Sequence, residues 1–250
     1  MNQIINLLKE IKWVTIDKVE QSLLKEKYSN ILIKDFLYEI LKEEIEFKSK
    51  RREYLKVKTG GFGNVKTIND FDFSFQPQIT KNLIDYLLTF RFVDKCENII
   101  FYGTPGVGKT HLATAIGVEA TKSKLSVYFI DGNKLINNLK EAKRKNQLDT
   151  RIKRYSKYKL LIIDELGFLP MNQEAANIMF QLVNSRYLKK STIITTNQPF
   201  SEWGKMFQNE TIASAILDRL LHKSHVISIN GKSYRTHEAA IDKEKFISEN

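Results

Sequence analysis

Apolar positions along this chain follow two rhythms. From residue 35 to about 56, Leu37, Ile40, Leu41 and Ile45 recur at the three- and four-residue spacing of one helix face, which predicts a long amphipathic helix. Residues 4–12 and 17–28 read as shorter helices, so residues 1–58 form a small all-helical N-terminal domain. Further on, short continuous apolar runs at 98–102, 126–130, 160–163, 192–195 and 225–229 alternate with helical stretches, among them 79–90, 109–121 and 173–188. Continuous runs suit strands covered on both faces. Their alternation with helices predicts an α/β domain over 77–250 with a five-stranded parallel sheet and right-handed crossovers. The break at Thr59-Gly60-Gly61-Phe62-Gly63-Asn64 opens a linker taken to residue 76.

The first apolar run leads into Gly103-Thr104-Pro105-Gly106-Val107-Gly108-Lys109-Thr110, a complete G-x-x-x-x-G-K-[ST] phosphate loop followed by a helix. Gly106 and Gly108 let backbone N–H groups turn toward phosphate oxygens, and the helix behind points its positive end at them. Lys109 would reach the β and γ phosphates, and Thr110 would place its hydroxyl on Mg²⁺. His111 follows within the same nucleotide-contacting segment and reads as a packing or capping residue rather than a catalyst. The run at 160–163 ends in Asp164-Glu165, at the strand end where ligands sit in open α/β sheets. Asp164 is the candidate Mg²⁺ holder, through water, and Glu165 the group that polarises an attacking water. Asn197, after the run at 192–195, can donate to the γ-phosphate or orient that water, although an Asn before Gln198-Pro199 is also ordinary turn chemistry. Asn133-Lys134-Leu135-Ile136 fails the guanine-reading [NT]-K-x-D pattern at its last position, so ATP is the expected nucleotide. Phe71, Phe73 and Phe75 alternate around Asp72 and Ser74, an extended segment expected to pack rings on the core, with contact to adenine as the alternative.

Composition narrows the class. The 250 residues are 42% hydrophobic and 28% charged, enough for a buried core and unlike a disordered chain. No apolar stretch approaches the roughly 18 residues that cross a bilayer, and the N-terminus lacks a signal-peptide pattern, so no membrane partner and a cytoplasmic location are expected. The single Cys96 excludes an internal disulfide and reads as a partly buried small residue, and four scattered His form no metal cluster.

The net charge of +11 points to a polyanion. Lys48, Arg51 and Arg52 share one face of the long helix. A second basic stretch holds Lys140, Lys143, Arg144, Lys145, Arg151, Lys153, Arg154, Lys157 and Lys159, opposed by only Glu141 and Asp149. These residues suit phosphate binding rather than base reading, so duplex DNA with little sequence preference is the expected ligand, a solvated basic surface being the alternative.

Several segments resemble the IstB transposition helper ATPases. They are the phosphate loop with His111-Leu112-Ala113, the stretch from Leu161 to Pro170, the stretch from Ser191 through Pro199-Phe200-Ser201-Glu202-Trp203, and Ala215-Ile216-Leu217-Asp218-Arg219-Leu220-Leu221-His222. The resemblance covers about residues 33–235. It implies an AAA+ ATPase of the initiator and loader clade that assembles on duplex DNA with ATP, bends it and stimulates a cognate transposase. It also implies a homo-oligomer with nucleotide at the subunit interfaces, taken apart by hydrolysis. Arg219 matches the arginine that enters a neighbour's site, a surface salt bridge with Asp218 or a neighbouring acid being the alternative. Arg235 resembles the second sensor arginine, although with fifteen residues after it the expected C-terminal lid is minimal or absent. A DnaC-like replicative helicase loader is the alternative function. A small-molecule phosphotransferase on the same loop is disfavoured by the Asp164-Glu165 pair, Asn197 and the basic stretches.

Overall fold

A computed structural model of the chain describes residues 33–63, 65–167 and 171–237. The helices expected at 4–12 and 17–28 lie outside the described residues. The chain divides into two compact units, 1–58 and 59–250.

In the first unit, helix α1 (Ile33–Thr59) carries the helical rhythm. A stripe as wide as Ile40, Leu41 and Ile45 needs a second surface. Ile40 is buried, whereas Leu41 and Ile45 are exposed. On the same helix Lys48 pairs with Glu44 at 3.0 Å, and Arg52 Nε donates to the Lys48 carbonyl at 3.3 Å.

The second unit alternates strands and helices: α2 (Lys81–Leu88), α3 (Arg91–Asp94), β1 (Asn98–Gly103), α4 (Lys109–Lys122), β2 (Val127–Asp131), α5 (Gly132–Arg144) and α6 (Leu148–Lys157). Then follow β3 (Leu160–Asp164), α7 (Gln173–Arg186), β4 (Ser191–Thr196), α8 (Trp203–Phe207), α9 (Glu210–Leu221) and β5 (Ser224–Ile229). The sheet is five-stranded in the order β2-β3-β4-β1-β5, and every pairing is parallel, as expected. β4 thus lies between β1 and β3. That order brings the phosphate loop after β1, Asn197 after β4 and Asp164 at the end of β3 to one edge of the sheet.

Alternation along the strands sorts the core into two faces. Ile100, Ile130, Leu161, Ile163 and Ile194 pack with buried residues of α5 to α9, including Leu135, Tyr155, Met179, Trp203 and Ile216. The registered neighbours Ile99, Ile162 and Ile193 face the other way. There α4 runs so close that a Cβ on Gly117 would run into the Ile162 side chain. With both faces covered, each buried aliphatic side chain contributes about 1.5–3 kcal/mol. Asn98 pins the opposite, amino-terminal edge, donating to the Leu220 carbonyl at 3.0 Å and accepting the Thr192 N–H at 2.9 Å.

The described part of the 59–76 stretch, read as a linker from its glycines, packs on the α/β unit. The Gly60 carbonyl accepts the Phe129 N–H of edge strand β2 at 2.7 Å. Phe62 is buried with its ring 5.7 Å from Phe129. Gly61 lets the backbone lie against the strand: it has φ +83° and a Cβ there would run into the Phe129 carbonyl.

Candidate functional site

The phosphate loop turns from β1 into α4 through left-handed Gly106 and Gly108, with φ of 81° and 96°. Side chains are disfavoured at both positions, since a Cβ on Gly106 would run into Ser233 and one on Gly108 would meet Phe71 at 2.7 Å. Lys109 Nζ donates to the carbonyls of Gly103 at 2.8 Å and Thr104 at 2.7 Å. Burial pulls its pKa down, and nearby Asp164 and Glu165 pull it back up. Its ammonium is therefore held in a partly desolvated place, where attraction to phosphate is strengthened.

Asp164 is buried at the end of β3. Its Oδ1 accepts the Thr110 hydroxyl at 3.0 Å and the Thr195 hydroxyl at 2.5 Å. Burial raises its pKa first of all, the two hydroxyls and Lys109 lower it, and Asp131 on β2 raises it further. Asp131 is registered beside it across the β2–β3 pairing and caps α5 by accepting the Lys134 N–H at 2.8 Å. A buried carboxylate whose charge the fold disfavours is a place for a cation.

Glu165 follows at φ +53°, a left-handed conformation costly for a non-glycine residue, and it is exposed. Its N–H donates to the Thr195 hydroxyl at 2.8 Å. Thr195 therefore holds both the Asp164 carboxylate and the turn that presents Glu165. Asn197 directly follows β4, between the phosphate loop and Glu165 in strand order.

His111 Nε2 donates to the Thr67 carbonyl at 2.8 Å, and the ring packs edge-on against Phe71 at 5.4 Å between ring centroids. Its contacts are those of a packing residue that seats the 67–71 stretch on α4. Phe71 is buried there as well. The chain after β5 also comes to the loop: Thr104 Oγ1 donates to the Gly231 carbonyl at 3.3 Å, and the Tyr234 N–H donates to the Gly106 carbonyl at 3.0 Å. Arg235 lies close enough for its charge to lower the Lys109 pKa.

Arg219 is elsewhere. It sits in the last turn of α9, next to the Leu220 carbonyl that Asn98 holds at the start of β1. Since β1 spans roughly 16 Å, Arg219 belongs to the opposite edge of the sheet from its own phosphate loop. Its Nε donates to Asn184 Oδ1 at 3.0 Å and Nη1 to the Ala215 carbonyl at 2.9 Å, and its guanidinium lies 4.7 Å from the Phe180 ring centroid. Among the described residues it forms no ion pair with Asp218.

The family model described as "IstB-like ATP binding protein" matches residues 9–241. The chain belongs to the IstB-like ATP-binding protein family. It is 49% identical over 199 residues to an insertion sequence IS232 putative ATP-binding protein of Bacillus thuringiensis subsp. berliner, covering 80% of each chain. It is 40% identical over 239 residues to the IS21 counterpart of Pseudomonas aeruginosa, covering 95% of this chain and 90% of that one. Its fold is that of AMPPCP-bound DnaA from Aquifex aeolicus, with TM-score 0.55 and 21% identity over 68% of this chain and 52% of that one. DnaI gives TM-score 0.52 and 20% identity over 67% and 89%. This IstB-like protein is thus an insertion-sequence-associated ATPase with an AAA+ fold.

The basic residues of the IstB-like chain are less free than their sequence indicates. Lys143 pairs with Glu174 of α7 at 3.0 Å, and Lys145 with Glu141 at 2.6 Å. Arg144, Lys153 and Arg154 are exposed and form no ion pair among the described residues, while Lys140 and Arg151 are half-buried. No described helix is long and apolar enough to cross a membrane.

Two residues of consequence escaped the sequence reading. Thr195 looked like an ordinary β-branched strand residue, and only the β3–β4 pairing puts its hydroxyl on Asp164. Arg186 is 2% exposed. It donates to Thr192 Oγ1 at 3.0 Å, to the Tyr155 and Tyr158 carbonyls at 2.8 and 3.0 Å, and to the Ser191 carbonyl. It thereby fastens α6, α7 and β4 together, and burial lowers its pKa to about 9.

Proposed function

We propose that this protein is an ATP-driven helper of an insertion-sequence transposase, assembling on target duplex DNA with nucleotide held between neighbouring copies. The observation that supports it best is the placement of Arg219. Its side chain is clasped at Nε and Nη1, and it stands at the wrong edge of the sheet for its own phosphate loop. A guanidinium held in that way is preorganised to meet phosphate oxygens on another copy.

In the hydrolytic step Lys109 and the loop N–H groups orient the β and γ phosphates, and Glu165 and Asn197 hold the attacking water in line. Arg219 of an adjoining copy would offset charge as the γ-phosphoryl group departs. Mg²⁺ fits the oxygen set: the Thr110 hydroxyl and the buried Asp164 carboxylate lie side by side and would hold the ion, Asp164 through water. When bound, the ion would neutralise charge between the phosphates. Exposed Arg144, Lys153 and Arg154 in the second unit, and separately Arg51 and Arg52 on α1 of the first, would each contact DNA phosphates. Bending a site costs a few kcal/mol, so several copies must share the load. Hydrolysis would then release the assembly. The insertion-sequence relatives favour a transposase over a replicative helicase as the partner.

The decisive experiment mixes two inactive variants, Lys109→Ala and Arg219→Ala. Each alone is expected to lose at least about 10³-fold in ATP turnover. An equimolar mixture with duplex DNA should recover a measurable fraction, because some interfaces pair an intact loop with an intact arginine. No recovery, together with a monomer by light scattering in ATP and DNA, would discard the shared site.

A further inference from the structure

An exposed helix position ordinarily favours Lys, Glu or Gln, and asparagine there weakens the helix. Asn184, exposed in the last turn of α7, has a different use. Its Oδ1 accepts the Arg219 Nε–H at 3.0 Å, from a residue 35 positions away. The Ala215 carbonyl accepts from Nη1 at 2.9 Å. Nη2 has no partner among the described residues, so the Nη1–Nη2 end of the guanidinium is the edge left for phosphate oxygens.

Two aromatic rings confine the same group. The Phe180 ring centroid lies 4.7 Å from the guanidinium carbon and that of Tyr187 lies 5.9 Å away. Tyr187 is itself fastened, its hydroxyl 2.6 Å from His222 Nδ1. A free arginine side chain samples many rotamers, and these contacts select one before a partner arrives. Arg219 also lines an open hollow with Thr211, Ser214, Ala215 and Asp218, so it remains reachable from outside.

The chemistry of the acceptor matters as much as its place. A carboxylate at position 184 would pair with the guanidinium and compete with an incoming phosphate. A carboxamide oxygen orients the group and leaves its positive charge unspent. The neighbouring acid, Asp218, forms no ion pair with Arg219 among the described residues.

We infer that Asn184 is a positioning residue for hydrolysis in the adjoining copy, aiming Arg219 at that copy's γ-phosphate without neutralising it. This rests on the shared-site reading given above. Its consequence is one-sided: the asparagine matters only on the chain that donates the arginine.

The test mixes full-length chains in equal amounts with duplex DNA, Mg²⁺ and ATP. The Lys109→Ala chain donates the arginine, and the Arg219→Ala chain donates the phosphate loop. Asn184→Ala added to the Lys109→Ala chain should lower kcat of the mixture by about 10- to 100-fold, the loss expected when a catalytic group shifts by about 1 Å, with KM for ATP unchanged. Added to the Arg219→Ala chain it should change neither constant, because that chain has no arginine to aim. Asn184→Asp in the arginine donor should also lower kcat. Melting temperatures should stay within about 2 °C of the parent chains, and Asn184→Leu serves if the alanine variant does not fold. Equal losses from both placements, no loss from either, or full turnover with the aspartate would overturn the inference. A parent mixture without turnover would instead overturn the shared-site reading, and the inference with it.

Discussion

The two edges of the sheet are built on different terms. At the carboxyl-terminal edge, a lysine and an aspartate are desolvated against their charged forms, Glu165 has a left-handed backbone and the Gln76 amide has no partner. At the amino-terminal edge, buried Arg186 has its donors met by three carbonyls and a hydroxyl, and Asn98 ties β1 to β4 and α9. One edge is held in an unfavourable condition that a bound nucleotide and cation would relieve, and the other is satisfied within the fold. The contrast teaches where to look for function in such a sheet: at the edge where the fold leaves charges and donors unmet.

The largest expected break in the contrast is chemical. Glu165→Gln should lower ATP turnover by about 10²–10⁴-fold, leave the melting temperature nearly unchanged, and accumulate protein on duplex DNA in gel shifts with ATP. Unimpaired turnover would remove Glu165 from the mechanism. At the satisfied edge the effect should be structural. Arg186→Ala strips partners from the Tyr155, Tyr158 and Ser191 carbonyls and should cost about 3 kcal/mol or more, a melting drop of roughly 6–12 °C, with ATP affinity of the folded protein retained.

The smallest effect sharpens the contrast through pH. Burial raises the Asp164 pKa above its ordinary 3.8, so the folded chain binds that proton more tightly than the unfolded chain. The resulting stabilisation is complete below the ordinary value and is lost as pH rises through the raised one. Asp164→Asn should therefore flatten the melting-versus-pH curve in that window and melt higher than wild type near neutrality without nucleotide, while losing turnover. An unchanged curve would mean that Asp164 carries no such cost.

The candidate site was legible as a cluster because its groups are contiguous or end a strand. Residues 103–110 form one loop and Asp164-Glu165 close one apolar run, and covalent neighbourhood alone brings each group together. The parallel sheet was legible from its uninterrupted apolar strands. Glycines at 60, 61 and 63 pointed to a linker, yet in the fold Gly61 lets the backbone lie along β2, since the same small residue serves a free hinge and a close approach equally well. The basic stretch showed its charges in sequence but not Glu174, which α7 brings beside Lys143.

By itself, then, the order of residues determined the elements, the phosphate loop and its acidic partner, through periodicity and local chemistry. Tertiary structure alone decided that Thr195 holds Asp164, that Gly231 and Tyr234 return to the loop, that Gln76 Nε2 stays unpaired while Gln78 is saturated, and that Arg219 stands a strand's length from residues 103–110. Those relations depend on strand order and on contacts between residues 30 to 152 positions apart. No local spacing encodes them, because hydrogen bonding and burial act through space rather than along the chain.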